Sequence, residues 1–307
     1  MKVFLICDES GAKGYANLSE KYPGEAGVFA GYFVQDNNFG NIDQQLRLLS
    51  GKYFVNDKCH LRGLPNNKME ELRTDIFEFI RNNKITCIYE AIHVEGFKEE
   101  YLRIIQLKNK AKEAKKSNIK ISNNLSPVLL HEELFQGLFS KSIAYFIDNF
   151  DKDKDILEIL VDSVDFPILK KFKKKANEVT DFSPRTKKVT GWDTKDKKRV
   201  QGGIKTNTKF PDSYRIRDFE EIQYDINISP DYLTLAADII ANSINYIFKN
   251  RASDDIGKPL NNRSSLKDHE LFNFFCNLID DEKNEQAWMN DFMYMHPFER
   301  SRLKAKS

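Results

Sequence analysis

Cysteine is scarce in this chain. The four present, Cys7, Cys59, Cys87 and Cys276, are scattered, and no two share the short spacing of zinc ligands. Neither a disulfide framework nor a zinc site is expected. No apolar run approaches the length needed to span a bilayer. Met1-Lys2 leads into a short apolar stretch that an acidic pair interrupts at Asp8, too early for a secretory signal. These absences point to a soluble, cytoplasmic protein in a reducing compartment. A surplus of one charge is missing too: 48 Lys and Arg stand against 46 Asp and Glu. The total therefore says little about partners, and the distribution has to be read instead. There is no internal repeat, and no low-complexity tract beyond the basic segments.

What is there suits a folded protein. The 307 residues are 40% hydrophobic and 12% aromatic, enough for one large domain or two small ones. Val3–Cys7 is a short β-forming run bounded by turn residues and reads as a buried strand. Strands are also predicted over 27–34, 85–94, 156–161 and, more briefly, 221–226. Helices are predicted over 42–49, 68–81, 98–116, 127–150, 230–248 and 266–279. Strands come first and then alternate with helices, so the fold class is α/β, a mixed sheet flanked by helices. Residues 1–250 read as one domain with a basic insertion at about 168–215, and 251–307 as a helical extension packed on it.

The most informative feature is Asp8-Glu9-Ser10-Gly11, which directly follows the first strand. Asp, Ser and Gly are turn formers, so a plain strand exit is one reading. The other is a site: an ionised carboxylate at the end of a buried strand is costly unless something positive faces it, and a divalent metal is the usual partner. The strand over 156–161 also ends in a carboxylate, Asp162. If the two strands are parallel neighbours, both groups emerge at the sheet edge where open α/β folds build their sites. A third candidate, Asp238, stands among Leu235, Ala236, Ala237, Ile239, Ile240 and Ala241. It shares a helical stripe with Thr234, Asn242 and Asn245, which would suit a solvated face, yet its small neighbours argue for close approach to another element. Two strand ends and a helix make the pattern that two-metal phosphoryl transfer requires.

At these residues the chain resembles the proteins grouped as domain of unknown function 3800. The resemblance runs through Leu5–Gly11, Lys58-Cys59-His60, Leu160–Ser163 and Ala237–Ala241, in family order from residue 3 to about residue 248. It implies a ribonuclease H-like fold with helical and loop insertions. It also implies that Asp8, Asp162 and Asp238 are metal ligands, with Glu9 as a ligand or a neighbour of the ligands. Proteins of that family often sit in mobile-element and phage-defence contexts. This chain departs from the family pattern in carrying Lys58 two residues before the histidine, where an acidic residue is usual. The family helix usually carries a Gln before its Leu-Ala-Asp, where this chain has Leu235-Ala236-Ala237 before Asp238.

His60 lies in a polar loop, where it serves either as an acid or base or as a loop-holding group. Glu90 and His93 fall on opposite faces of their strand by alternation, so one of them points toward the site. His131, His269 and His296 read as structural. From Lys170 to Lys209, fourteen basic residues stand against four acidic ones. Lys170 and Lys171 belong to the first cluster, and Lys195, Lys197, Lys198 and Arg199 to the second, with Trp192 interleaved. Charge with aromatics suits a nucleic-acid backbone and stacked bases, although lysine-rich faces are commonly just solvated. The expected function is a metal-dependent nuclease using Mg²⁺ or Mn²⁺ on DNA or RNA. The alternative is a non-catalytic nucleic-acid-binding or scaffold subunit of a defence or toxin assembly. The Met- and aromatic-rich tail, Trp288–Phe298, is then either a contact surface for a protein partner or second copy, or packed core.

Overall fold

The apolar run near the amino end becomes the middle strand of a sheet. In the computed structural model, which describes residues 1–54, 61, 63–114, 119–121, 127–183, 185–206, 215–261, 263–276 and 291–298, β1 is Lys2–Gly11. Its alternate side chains enter two separate cores: Phe4 and Ile6 on one face, Val3, Leu5 and Cys7 on the other. A strand buried on both faces reads as a continuous apolar run, as this one does. β2 (Ala26–Gln35) pairs antiparallel with β1, and β3 (Cys87–His93) antiparallel with β2. Between them come α1 (Asp36–Tyr53) and α2 (Asn66–Asn82), and after β3 comes α3 (Val94–Ala114).

A short strand, β4 (Ile119–Ile121), and the long α4 (Leu130–Asn149) follow. β5 (Ile156–Val161) then lies parallel to β1. Next are α5 (Phe166–Thr180), β6 (Arg185–Asp193), β7 (Lys198–Thr206) and β8 (Tyr224–Ile228), the last parallel to β5. α6 (Asp231–Lys249) and a four-residue α7 (Asp291–Tyr294) complete the described helices. The protein is thus α/β, with a five-stranded mixed sheet in the order β3-β2-β1-β5-β8. Residues of α1, α2 and α6 share the core of Phe4 and Ile6, while those of α4 and α5 share the core of Val3, Leu5 and Cys7. Among the described residues no helix is long and apolar enough to cross a membrane.

Three expectations are corrected. First, the basic segment is not one loop. Its first part is α5, whose Leu169, Phe172, Ala176 and Val179 are buried at helical spacing, leaving Lys170, Lys173 and Lys174 exposed while Lys175 packs against α4. Its second part is the β6–β7 hairpin, which forms a separate three-stranded sheet with β4. The hairpin turn is set by Asp193, whose carboxylate accepts from the backbone N–H groups of Lys195 and Asp196. Second, the described part of 266–279 is not a helix. His269 Nδ1 accepts from the Leu271 N–H, and the chain makes 3₁₀ turns over Arg263–Leu266 and Phe272–Phe274. Third, β1 runs past Asp8 to Gly11, because β2 keeps pairing with it as far as Gly27.

The C-terminal segment covers the free edge of β3. The Asn261 side chain accepts from the Ala91 N–H at 2.9 Å, and the Cys276 N–H donates to the Cys87 carbonyl at 2.8 Å. Leu260, Leu266, Leu271 and Phe275 are buried in the same core as Phe4 and Ile6. Covering an edge in this way removes a template for pairing with other chains. The cover is fixed by a charge inside the protein. Glu90 of β3 is fully buried, pairs with Lys141 of α4 at 2.9 Å, and accepts from Asn261 at 2.7 Å. Gly137 lets α4 come close, since a Cβ there would stand 2.6 Å from the Glu90 carboxyl carbon. Lys141→Met strands that carboxylate and should lower the unfolding free energy by roughly 3 kcal/mol in urea titration. Adding Glu90→Gln should recover most of the loss, and no recovery would mean that packing, not charge, governs this corner.

Candidate functional site

The site grows from a mismatch in strand length. β5 ends at Val161, opposite Cys7, and β1 continues beside β2 alone. At Asp8, therefore, β1 loses its parallel neighbour, and a notch opens at the carboxyl ends of β1 and β5. Asp162 is the first residue past β5 and stands at this notch. Its Oδ1 accepts from the Thr234 hydroxyl at 3.0 Å, in the first turn of α6.

α6 lies across β1 and β2 because its contact face is small. Ala236, Ala237 and Ala241 are completely buried. Tyr32 of β2 donates to the Leu233 carbonyl at 2.7 Å and fixes the start of the helix. The last two residues of the acidic tetrapeptide complete the docking. Ser10 donates to Asn242 Oδ1 at 2.8 Å, and Asn242 donates to Asp238 Oδ1 at 2.5 Å. Gly11 has φ of 82°, and a Cβ on it would meet the Ala26 carbonyl at 2.5 Å and Asn245 Oδ1 at 2.8 Å. Any other residue there would be strained by its φ and would collide with the β2 backbone and displace the Asn245 side chain of α6.

Asp8, Glu9, Asp162 and Asp238 all line one open cleft of about 990 Å³. Leu61, Met69 and Arg73 lie on the α2 side of it, and Asn242 and Tyr246 on the α6 side. Burial pushes the Asp8 carboxyl up to about 9, with help from the charges of Glu9, Asp238 and Asp162 and against the Glu9 N–H that Asp8 accepts. Burial likewise raises Asp238 to about 7, with Asp162 and Glu9 adding to it and Lys13 and Asn242 opposing. Glu9 goes the other way. Burial works to raise it, but the bond and charge of His131 and the pairing with Lys13 overrule this and hold it at about 2. His131 Nε2 lies 3.4 Å from Glu9 Oε2, and the Lys13 ammonium pairs with Oε1.

The structure thus places Asp8, Glu9, Asp162 and Asp238 in the lining of one cleft. His60 lies outside the described residues, although Leu61 beside it lines the cleft. Glu90 and His93 are not among the lining residues: Glu90 belongs to the α4 corner, and the His93 ring packs against His296 at 5.7 Å. The lining also includes none of Lys170, Lys171, Lys195, Lys197, Lys198, Arg199 or Trp192. Lys171 is ion-paired with Glu132 at 2.8 Å and Lys198 with Asp196 at 2.9 Å, while the Lys170 ammonium sits 4.6 Å from the Phe166 ring centre. Trp192 is half exposed on β6. His131, Lys13 and Arg73 escaped sequence reasoning. His131 directly follows the first residue of an apolar helix, where the sequence marks it only as core. Lys13 sits four residues after Glu9, a spacing that was open to notice.

As placed, no three His, Cys, Asp or Glu side chains among the described residues stand close enough together to hold a metal ion. The donor set nevertheless fits a hard divalent cation in kind. Asp8, Asp162 and Asp238 offer only oxygens, and none of them is ion-paired with a described residue. Burial, with the like charges around them, raises two of the three, and Lys13 opposes this only in part at Asp238. No protein-family model matches the chain, and no curated protein matches it.

The raised carboxyls fix the sign of a pH effect. Both titrate above the 3.8 of an ordinary Asp, so the folded protein holds protons that the unfolded chain releases. The stability from this is complete below about pH 4 and is lost as pH rises through about 7 for Asp238 and about 9 for Asp8. In EDTA, Tm should fall between pH 5 and 9 (on the order of the window those groups set). Asp8→Asn should flatten the fall and raise Tm at the alkaline end by at least ~4 °C in calorimetry. An unchanged profile in Asp8→Asn would show that Asp8 is ionised without strain.

Proposed function

We propose that this protein is a metal-dependent nuclease of ribonuclease H-like type, hydrolysing phosphodiester bonds at the carboxylate cleft. One observation carries the reading: carboxylates from the ends of two adjacent parallel strands, and one from the helix packed across them, line a single cleft without described cation partners. The resemblance to domain of unknown function 3800 proteins supports it, because Asp8, Asp162 and Asp238, three of the residues that carry it, line this cleft.

Asp8, Asp162 and Asp238 would hold Mg²⁺ or Mn²⁺, which when bound supplies an activated water and neutralises charge on the phosphate and the leaving oxygen. The chain's own residues orient those oxygens. The Glu9 N–H holds Asp8 Oδ1, Thr234 holds Asp162, and Asn242, itself held by Ser10, holds Asp238. Each is held by a neighbour on a strand or helix, and the three would have to draw closer together to share an ion. Glu9 is engaged by Lys13 and His131, which makes it a neighbour of the ligands rather than one of them. Arg73 brings positive charge to the far wall, where a phosphate would enter. His60, named by the resemblance and outside the described residues, would act as an acid or base.

Purified protein should cut DNA or RNA with Mg²⁺ or Mn²⁺ and not in EDTA. Asp8→Asn and Asp162→Asn should each lower the rate by about two orders of magnitude or more with the fold intact by circular dichroism. Full metal-dependent cleavage by well-folded Asp8→Asn would sink the mechanism.

A further inference from the structure

The α6 wall of the cleft carries more than Asp238. Asp238, Asn242 and Tyr246 recur every fourth residue and so share one helix face. All three line the cleft. Tyr246 lies two turns beyond Asp238, about 12 Å along the axis. It is 65% exposed and lies in the lining of the open cleft. The other exposed aromatics differ in this: Tyr15, Phe166, Trp192 and Phe298 are absent from the lining. The lining also holds Arg73 of α2, exposed and in no ion pair with a described residue, and the apolar Met69 and Leu61. A planar aromatic face, apolar side chains and a guanidinium thus surround the space next to the carboxylates.

We propose that the cleft takes single-stranded nucleic acid, with Tyr246 stacking on an unpaired base and Arg73 meeting a phosphate beside it. The ligand's identity as nucleic acid rests on the nuclease reading; the strandedness comes from Tyr246. A base held in a duplex is already stacked on its neighbours, so an open aromatic face is of use only to an unpaired one. At the ~3.4 Å rise of a stacked strand, 12 Å of helix places that base within about three or four nucleotides of the carboxylates. Base stacking is sequence-tolerant, since every base has a π-face.

Binding can be read apart from cleavage. In an Asp8→Asn background with Mg²⁺, fluorescence anisotropy would follow labelled oligothymidylate, oligouridylate and a hairpin duplex of equal length. Single strands should bind more tightly than the duplex. Tyr246→Ala should weaken single-strand binding about tenfold with little change in salt dependence, and Tyr246→Phe should restore it. Arg73→Gln should weaken it as well and reduce the log–log salt slope by about 0.7. Tyr246 is exposed, so loss of fold should not intervene, and Tm checks this. Unchanged affinity in Tyr246→Ala, a duplex bound as tightly as single strands, or no binding of any probe would each overturn the inference. A wild-type protein that fails to cleave while Tyr246-dependent binding persists would remove the nuclease reading and support this one. Intact cleavage with Tyr246→Ala binding like its parent would do the reverse.

Discussion

The close approach of α6 to β1 and β2 governs this molecule. It depends on having almost nothing between helix and sheet: Ala236, Ala237 and Ala241 on one side and Gly11 on the other. That closeness closes the core around Ile6 and Tyr32, and it also sets Asp238 beside Asp8 and Asp162. Packing and site are therefore one arrangement. A larger side chain at any of these positions would relieve the carboxylate repulsion by separating the groups, and would open the core in doing so. The protein tolerates the repulsion because tightly packed alanines leave the helix no other seat.

Within the cleft, two neighbouring carboxylates have opposite fates. Asp8 faces other acids and keeps its proton, whereas Glu9, the next residue along an extended strand, points to the other side and meets Lys13 and His131. Alternation along a strand converts adjacency in sequence into separation in chemistry. One group is left available to an incoming cation, and the other is already neutralised by the protein. Arg73 and Lys13 give the cleft a rim of positive charge over an acidic floor.

Much of this was legible in the sequence, for identifiable reasons. Val3–Cys7 and Ile156–Val161 are apolar through their length because both faces are buried, so their ends, and Asp8 and Asp162 with them, stood out. Asp238 was legible from its alanine neighbours. What hid were features that depend on partners remote in the chain. That β1 continues to Gly11 follows from its pairing with β2, not from its own residues. His131 looked like core because it is core: its ring lies 4.9 Å from that of Phe172, and only the tertiary fold shows that its edge meets Glu9. The lysines masked the hairpin, since charge is uninformative about period, and the turn rests on a single side chain, Asp193. Tyr246 carries no signal of its own in the sequence, and only the fold puts it in the cleft lining.

The cover over β3 also has a consequence in time. A ribosome releases β3 long before it releases the residues that pair with its outer edge. Asn261 and Cys276 arrive about 170 and 190 residues after Ala91 and Cys87, a delay of roughly 10–40 s at ordinary rates of synthesis. Throughout that interval the antiparallel β1–β2–β3 ribbon can exist with an open, apolar border. Nascent chains on neighbouring ribosomes of one messenger would carry the same border side by side. The safeguard that keeps the finished protein from edge-to-edge association is thus absent when crowding with identical chains is greatest, and its biogenesis would lean on chaperones that shield strand edges.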